Sequence, residues 1–168
     1  MTNQFSKIAL VLLITGSIWS CKDSSEFNDK PFLEYRGYEL VPDEDPTINR
    51  PTLVHELYFT DGDGDIGDRG SLSTDTCTRG YYDITVKFFK KVNNQFEEII
   101  PNDPCKSFYA NHIPDLTPTG SNKVLEGTIF NPFDIFSGTT DSVKFEFTLM
   151  DRSNNQSNVV ITPAMIIE

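Results

Sequence analysis

Val143, Phe145, Phe147 and Leu149 alternate with Lys144, Glu146 and Thr148 along one uninterrupted run. A period of two sends successive side chains to opposite faces of an extended chain, so this run reads as a half-buried strand. The same rhythm recurs from Leu53 to Thr60, where Leu53, His55, Leu57 and Phe59 share a face, and from Tyr82 to Phe88, where Tyr82, Ile84, Val86 and Phe88 do. Val92-Asn93-Asn94-Gln95-Phe96 reads as a hairpin turn, because Asn tolerates positive φ, with Gln95 to Ile100 as the return strand. Shorter apolar alternations cover Lys123–Phe130 and Asn158–Thr162. Gly, Pro, Asn and Asp punctuate the intervals, and no stretch carries a capped 3.6-residue pattern of helical length. The chain is therefore expected to be all-β. Its seven to eight short strands fit an immunoglobulin-like (Greek-key) β-sandwich spanning residues 35–168, and ten of the chain's 13 Phe and all 6 Tyr lie within it to fill the core.

Ahead of that domain the composition changes. Lys7 is followed by an apolar run from Ile8 to Trp19. Twelve residues at about 1.5 Å each reach roughly 18 Å, too short for the roughly 30 Å hydrocarbon core, so residues 1–20 read as an export signal and not as a membrane span. The segment ends on Ile18-Trp19-Ser20-Cys21, which resembles the lipobox of bacterial lipoproteins. That resemblance implies cleavage before Cys21 and acylation of its thiol, and multiple acyl chains on Cys21 would anchor the protein stably to a membrane. Residues 21–34 then read as a lipidated flexible stalk. Its start, Lys22-Asp23-Ser24-Ser25-Glu26, is similar to tethers that send Bacteroidota lipoproteins to the outer face of the outer membrane. The expected location is the outer membrane, lipid-anchored and exposed at the cell surface, with the periplasmic face as the alternative. With Cys21 modified, Cys77 and Cys105 remain. In an oxidising compartment they are most simply a disulfide, the alternative being two buried free thiols.

The chemistry-bearing segment is Asp61-Gly62-Asp63-Gly64-Asp65-Ile66-Gly67-Asp68. Two carboxylates held about 4 Å apart repel by about 4 kcal/mol at an effective dielectric of 20, so a compact arrangement is costly without a cation. Oxygen ligands on a flexible loop suit Ca²⁺, which takes six to eight of them. The Asp-x-Asp-x-Asp spacing matches the opening of an EF-hand, but Ile66 stands where that loop needs Gly and Leu72 where it needs Glu. A strand-to-loop site of Asp61, Asp63, Asp65 and Asp68 is expected instead. The competing reading is a solvated acidic turn. Asp61 lies two residues beyond the inward Phe59, and Asp151 two beyond the inward Leu149. If those strand ends adjoin, Asp151 completes the site; otherwise it simply opens the turn through Asn155.

The phrase from Phe59 to Gly67 resembles the signature of a group of uncharacterised Bacteroidota outer-membrane lipoproteins with a DGDGDIG motif, as does the stretch Phe147-Thr148-Leu149-Met150-Asp151-Arg152-Ser153-Asn154-Asn155-Gln156-Ser157-Asn158. Asp-Arg-x-x-Asn-x-Ser is also similar to the last-strand entry of bacterial immunoglobulin-like domains. The resemblance implies an envelope-facing sandwich and brings no established activity with it.

Twenty-five acidic against 14 basic residues, a net charge of −11, argue against nucleic acid as a partner. The leading expectation is a non-catalytic binding or adaptor lipoprotein, calcium-stabilised and tethered at the membrane, with an outer-membrane protein complex as partner. Glycan capture is the alternative, for which Tyr35, Tyr38, Tyr58, Tyr81 and Tyr109 are the available aromatics. A hydrolase using the clustered carboxylates is the third. His55 and His112 are the only imidazoles and neither sits in a Ser or Cys nucleophile motif. His55 reads as a core residue with its polar atoms satisfied, and His112 as a loop residue.

Overall fold

A computed structural model describes residues 27–42, 51–68, 82–100, 111–134 and 142–166. Cys21, Cys77 and Cys105 lie outside these, as do the leader and Tyr81 and Tyr109. The described chain forms eight strands: β1 Phe32–Val41, β2 Thr52–Asp61, β3 Ile84–Val92, β4 Gln95–Glu98, β5 Leu125–Asp134, β6 Ser142–Leu149, β7 Val160–Ile161 and β8 Met165–Ile166. One sheet runs β1-β2-β5; the other runs β4-β3-β6-β7, with β8 also on β6. Every pairing is antiparallel. Taking β1, β2 and β5 as strands A, B and E, and β3, β6 and β7 as C, F and G, gives the order of an immunoglobulin-like sandwich.

The period-two faces meet as expected. Leu33, Leu53, Leu57 and Phe59 from the first sheet pack with Ile84, Val86, Val143, Phe145, Phe147 and Leu149 from the second in one core. Phe133 of β5 lies edge-on to Phe145 of β6, with ring centroids 4.6 Å apart, and tilts against Phe88 of β3 at 5.4 Å. Such contacts across the layers fix how the sheets are stacked, each buried Phe contributing about 1.5–3 kcal/mol.

Asn93 and Asn94 take positive φ of 49° and 69°, which closes the two-residue β3–β4 hairpin with Val92 opposite Gln95. The return strand stops at Glu98, two residues before Ile100. Two elements extend beyond the sequence expectation. β1 starts at Phe32, inside the segment read as stalk, because Leu33 is buried and its backbone N–H and C=O are both held by the Asn158 side chain, at 2.8 Å each. β5 continues through Asn131-Pro132 to Asp134, tolerated because it is the edge strand of its sheet among the described residues.

The topology gathers several segments at one end of the sandwich. Phe32 pairs with Thr60, and Asp61 pairs with Leu125, so the start of β1, the end of β2 and the start of β5 are neighbours. The 151–155 turn beyond β6 joins them through a hydrogen bond from Arg152 N to Asp65 O, 3.2 Å.

Candidate metal centre

Asp61 and Asp151 continue the inward phase of β2 and β6 by one step past their last core residues, Phe59 and Leu149. Both carboxylates are therefore pulled below the surface, at 0% exposure. Asp63 and Asp65 follow on the loop. Asp61, Asp63, Asp65 and Asp151 each offer a carboxylate oxygen, and these oxygens lie within 4.8 Å of one another. The group could bind a metal ion.

The loop is held in this shape from several sides. Gly62 N donates to Asn28 O at 2.8 Å, Asp68 N to Ile113 O at 2.8 Å, and Leu116 N to Ile66 O at 3.2 Å. Ile66, the residue that breaks the EF-hand pattern, is fully buried and belongs to the hydrophobic core, so the loop is pinned from its middle. Gly64 (φ 66°) and Gly67 (φ 98°) lie in the left-handed region, and a Cβ at either would run into a carbonyl, of Lys123 or of Pro114. Both positions require glycine. The Arg152 guanidinium ties the neighbouring segment in: it donates to Gly67 O (3.2 Å), to Asp115 Oδ1 (2.8 Å) and to Thr117 Oγ1. Bonds from Thr117 and the Arg152 guanidinium hold the Asp115 carboxyl well below the usual range.

The carboxylates themselves are half-satisfied. Asp61 Oδ2 accepts from Asp65 N at 3.0 Å, and Asp65 Oδ2 accepts from Ser153 N and Oγ at 3.0 and 2.7 Å. Asp151 accepts from Asn155 through both oxygens, at 2.7 Å from the backbone N–H and 2.8 Å from the side-chain amide. It thus caps its turn and faces the other carboxylates at once. By contrast, Oδ1 of Asp61, of Asp63 and of Asp65 are each shut away from solvent with no hydrogen-bond donor among the described residues. A buried carboxylate oxygen without a donor or cation is strongly unfavourable. Burial pushes the Asp61 carboxyl up to about 7, against the pull of the Asp65 N–H, and the charges of Asp63, Asp65 and Asp151 push the same way. Asp63 is raised for the same reasons, by burial and then by Asp65, Asp151 and Asp29. Three orphaned oxygens, one from each loop aspartate, supply the hard donors that a divalent cation uses.

Asp68, the fourth loop aspartate, stands outside this group. Its backbone takes a φ of 60° and its side chain is exposed, near enough to the Arg152 guanidinium to raise that group's pKa. The convergence of Asp151 on the loop, open in the sequence, is found. Ser153, Asn155, Arg152 and Asn28 support the arrangement but were not legible as site residues, since each acts through a backbone atom or a second side chain.

His55 is in the core, with its ring 4.5 Å from Phe145, 5.0 Å from Phe147 and 6.0 Å from Tyr35 between centroids. It is not satisfied, however: neither ring nitrogen has a partner among the described residues, and burial lowers its pKa to about 4. His112 stacks on Tyr82 at 5.1 Å and places Nδ1 3.3 Å from the buried Asp83 Oδ2, which also accepts from Ile113 N. Of the tyrosines considered for sugar stacking, Tyr58 lies under the Arg36 guanidinium, 4.7 Å from the ring centroid, and donates to Glu126 at 2.6 Å. Tyr35 is turned into the core against His55, and Tyr38 is exposed. Comparison of this chain with protein families, with curated proteins and with solved structures found no match.

Proposed function

We propose that this protein is a non-catalytic binding or adaptor lipoprotein of the cell envelope, anchored to the outer membrane through Cys21 and stiffened by one Ca²⁺ ion held by Asp61, Asp63, Asp65 and Asp151. The observation that carries the metal is the convergence of four aspartates, three of which have an Oδ1 atom shut away from solvent with no donor among the described residues. Calcium is preferred over magnesium because the oxygens come from a glycine-rich loop and a turn, where a larger ion of flexible coordination fits better than a strict octahedron. Outside cells calcium is abundant enough that a dissociation constant of about 10⁻⁴–10⁻³ M keeps such a site filled.

The binding role rests on how the cation would act. It would join the loop after β2 to the turn after β6, and through Arg152 to the 113–117 segment, making one rigid loop surface at one end of the sandwich. Rigid loops on a sandwich end are a common recognition surface. The anchor rests on the Ile18-Trp19-Ser20-Cys21 sequence. Two experiments test the reading. Metabolic labelling with an alkyne fatty acid should mark the full-length protein and not Cys21→Ser; equal labelling of both would remove the anchor. Crosslinking in intact membranes with excess Ca²⁺ or with EGTA should then capture a partner only with Ca²⁺. Identical capture in both would separate partner binding from the cation.

A further inference from the structure

Residues 27–30, inside the segment read as stalk, cross the aspartate loop. Asn28 O accepts from Gly62 N at 2.8 Å, and Gly62 is the residue between Asp61 and Asp63. A Cβ at Gly62 would fall 2.4 Å from Phe27 O and 2.8 Å from Asn28 O, so the 27–28 backbone passes directly over that position. Lys30 N donates to Asn28 Oδ1 at 2.8 Å, which bends the segment into a tight turn before the buried Pro31. Asp29 stands close to the ligand set, and its charge is among those that raise the Asp63 carboxyl. Residues 27–30 thus form a strap across the middle of the loop.

The side chains of Asn28, Asp29 and Lys30 are exposed, so burial contributes little to holding the strap down. Charge contributes more. Without a cation, Asp29 joins four aspartates whose carboxylate oxygens lie within 4.8 Å of one another, and repulsion favours lifting the strap. A divalent cation offsets two of those charges and fixes the Asp61-Gly62-Asp63 backbone, which keeps Gly62 N aimed at Asn28 O. That the cluster takes a ligand is marked independently by Asp61, which is 0% exposed and has no donor for Oδ1 among the described residues. We propose that strap and ion are coupled: calcium held by Asp61, Asp63, Asp65 and Asp151 locks residues 27–30 onto Gly62, and the docked strap, with Asp29 beside the site, raises calcium affinity in return. The two effects are equal by linkage. The inference rests on the calcium reading above, and its consequence on the anchor. Six residues lead from Cys21 to Phe27, at most about 22 Å of chain. A locked strap keeps the metal end of the sandwich within that reach of the acylated cysteine, and loss of the ion lengthens the tether by the four strap residues, about 14 Å.

The test uses the full-length protein in detergent micelles, with Ca²⁺ alone as ligand. Chymotrypsin cleavage of the Phe27–Asn28 bond, followed by mass spectrometry, reads how often the strap lifts. Cleavage should be at least about tenfold slower in excess Ca²⁺ than in EGTA for the unmodified protein, and equally fast in both for Asp61→Asn. Calorimetric titration of Asp29→Asn, an exposed position whose change leaves the core intact, should give a calcium dissociation constant roughly threefold to tenfold weaker at low ionic strength. The difference should shrink in high salt, as a through-space charge effect does. Equal cleavage with and without Ca²⁺, in a protein that calorimetry shows to bind the ion, overturns the inference and leaves the calcium reading standing. Unchanged calcium affinity in Asp29→Asn does the same. Absence of calcium binding to the unmodified protein removes that reading, and this inference with it.

Discussion

Replacing Asp61 by Asn should invert the usual effect of a buried substitution. Without a cation, the Asp61 charge sits within 4.8 Å of three other carboxylate oxygens, where each pair repels by about 3 kcal/mol at an effective dielectric of 20. Relaxation and partial protonation cap the total. A carboxyl pushed from 3.8 to about 7 marks a penalty on the charged folded form of about 4 kcal/mol at pH 8. Asn keeps the acceptor for Asp65 N–H and discards the charge, so Asp61→Asn should stabilise the EGTA-treated protein by about 2–4 kcal/mol, or roughly 6–12 °C in Tm for a domain of this size. With Ca²⁺ at 100 times the dissociation constant, the unmodified protein should gain about 2.7 kcal/mol, whereas the variant should gain almost nothing. Differential scanning calorimetry at pH 8, in EGTA and in 10 mM Ca²⁺, reads all four states. A variant that melts below the unmodified protein in EGTA, and still rises with Ca²⁺, would refute the reasoning.

His55 should give the fold an acid limit: its pKa falls from 6.5 to about 4 on folding, so its contribution is intact above about 6.5 and is lost as pH falls toward 4. The loss approaches about 3 kcal/mol, and urea melts across that window should show it for the native chain and not for His55→Leu. Gly64→Ala should cost about 2–4 kcal/mol, since a φ of 66° and the Lys123 carbonyl both exclude a methyl group; a melting temperature within 2 °C of the native value would contradict that local geometry. Arg152→Leu should speed hydrogen exchange at Asp68 N and Leu116 N, which the guanidinium supports from Gly67, Asp115 and Thr117. Arg152→Lys should recover only part of the protection, because an ammonium lacks the planar fork.

The fold was legible where the alternation was long and clean. β2 and β6 could be read residue by residue, and their shared phase carried over to Asp61 and Asp151, so the convergence of loop and turn was already implicit in two strand rhythms. β1 was hidden because its pairing shifts between Tyr35 and Gly37, and beyond the shift Tyr38, Leu40 and Val41 are exposed, which erases a face. β5 runs past the apolar alternation of Lys123–Phe130 because Asn131-Pro132 interrupts the apolar pattern without ending the strand. In the fold, an edge position tolerates Pro132, and Gly127 leaves room for the Phe59 ring. Within the loop, composition alone could not separate Asp68 from its three neighbours. A positive φ, with its N–H drawn to Ile113 O, turns it outward, and both facts depend on a segment 45 residues further along the chain. That the ring nitrogens of His55 and the Nδ2 of Asn131 lack partners among the described residues was equally out of reach, since pairing is decided by what lies opposite in three dimensions.

The central claim is that Asp61, Asp63, Asp65 and Asp151 surround one divalent ion. A crystal structure of the protein grown with Mn²⁺ in place of Ca²⁺, with data collected at the manganese edge, tests it most directly. The account predicts a single anomalous peak with an oxygen of each of the four aspartates at about 2.1–2.5 Å, and Asp68 away from it. No peak there, with the three Oδ1 atoms turned out to bulk water, would contradict it.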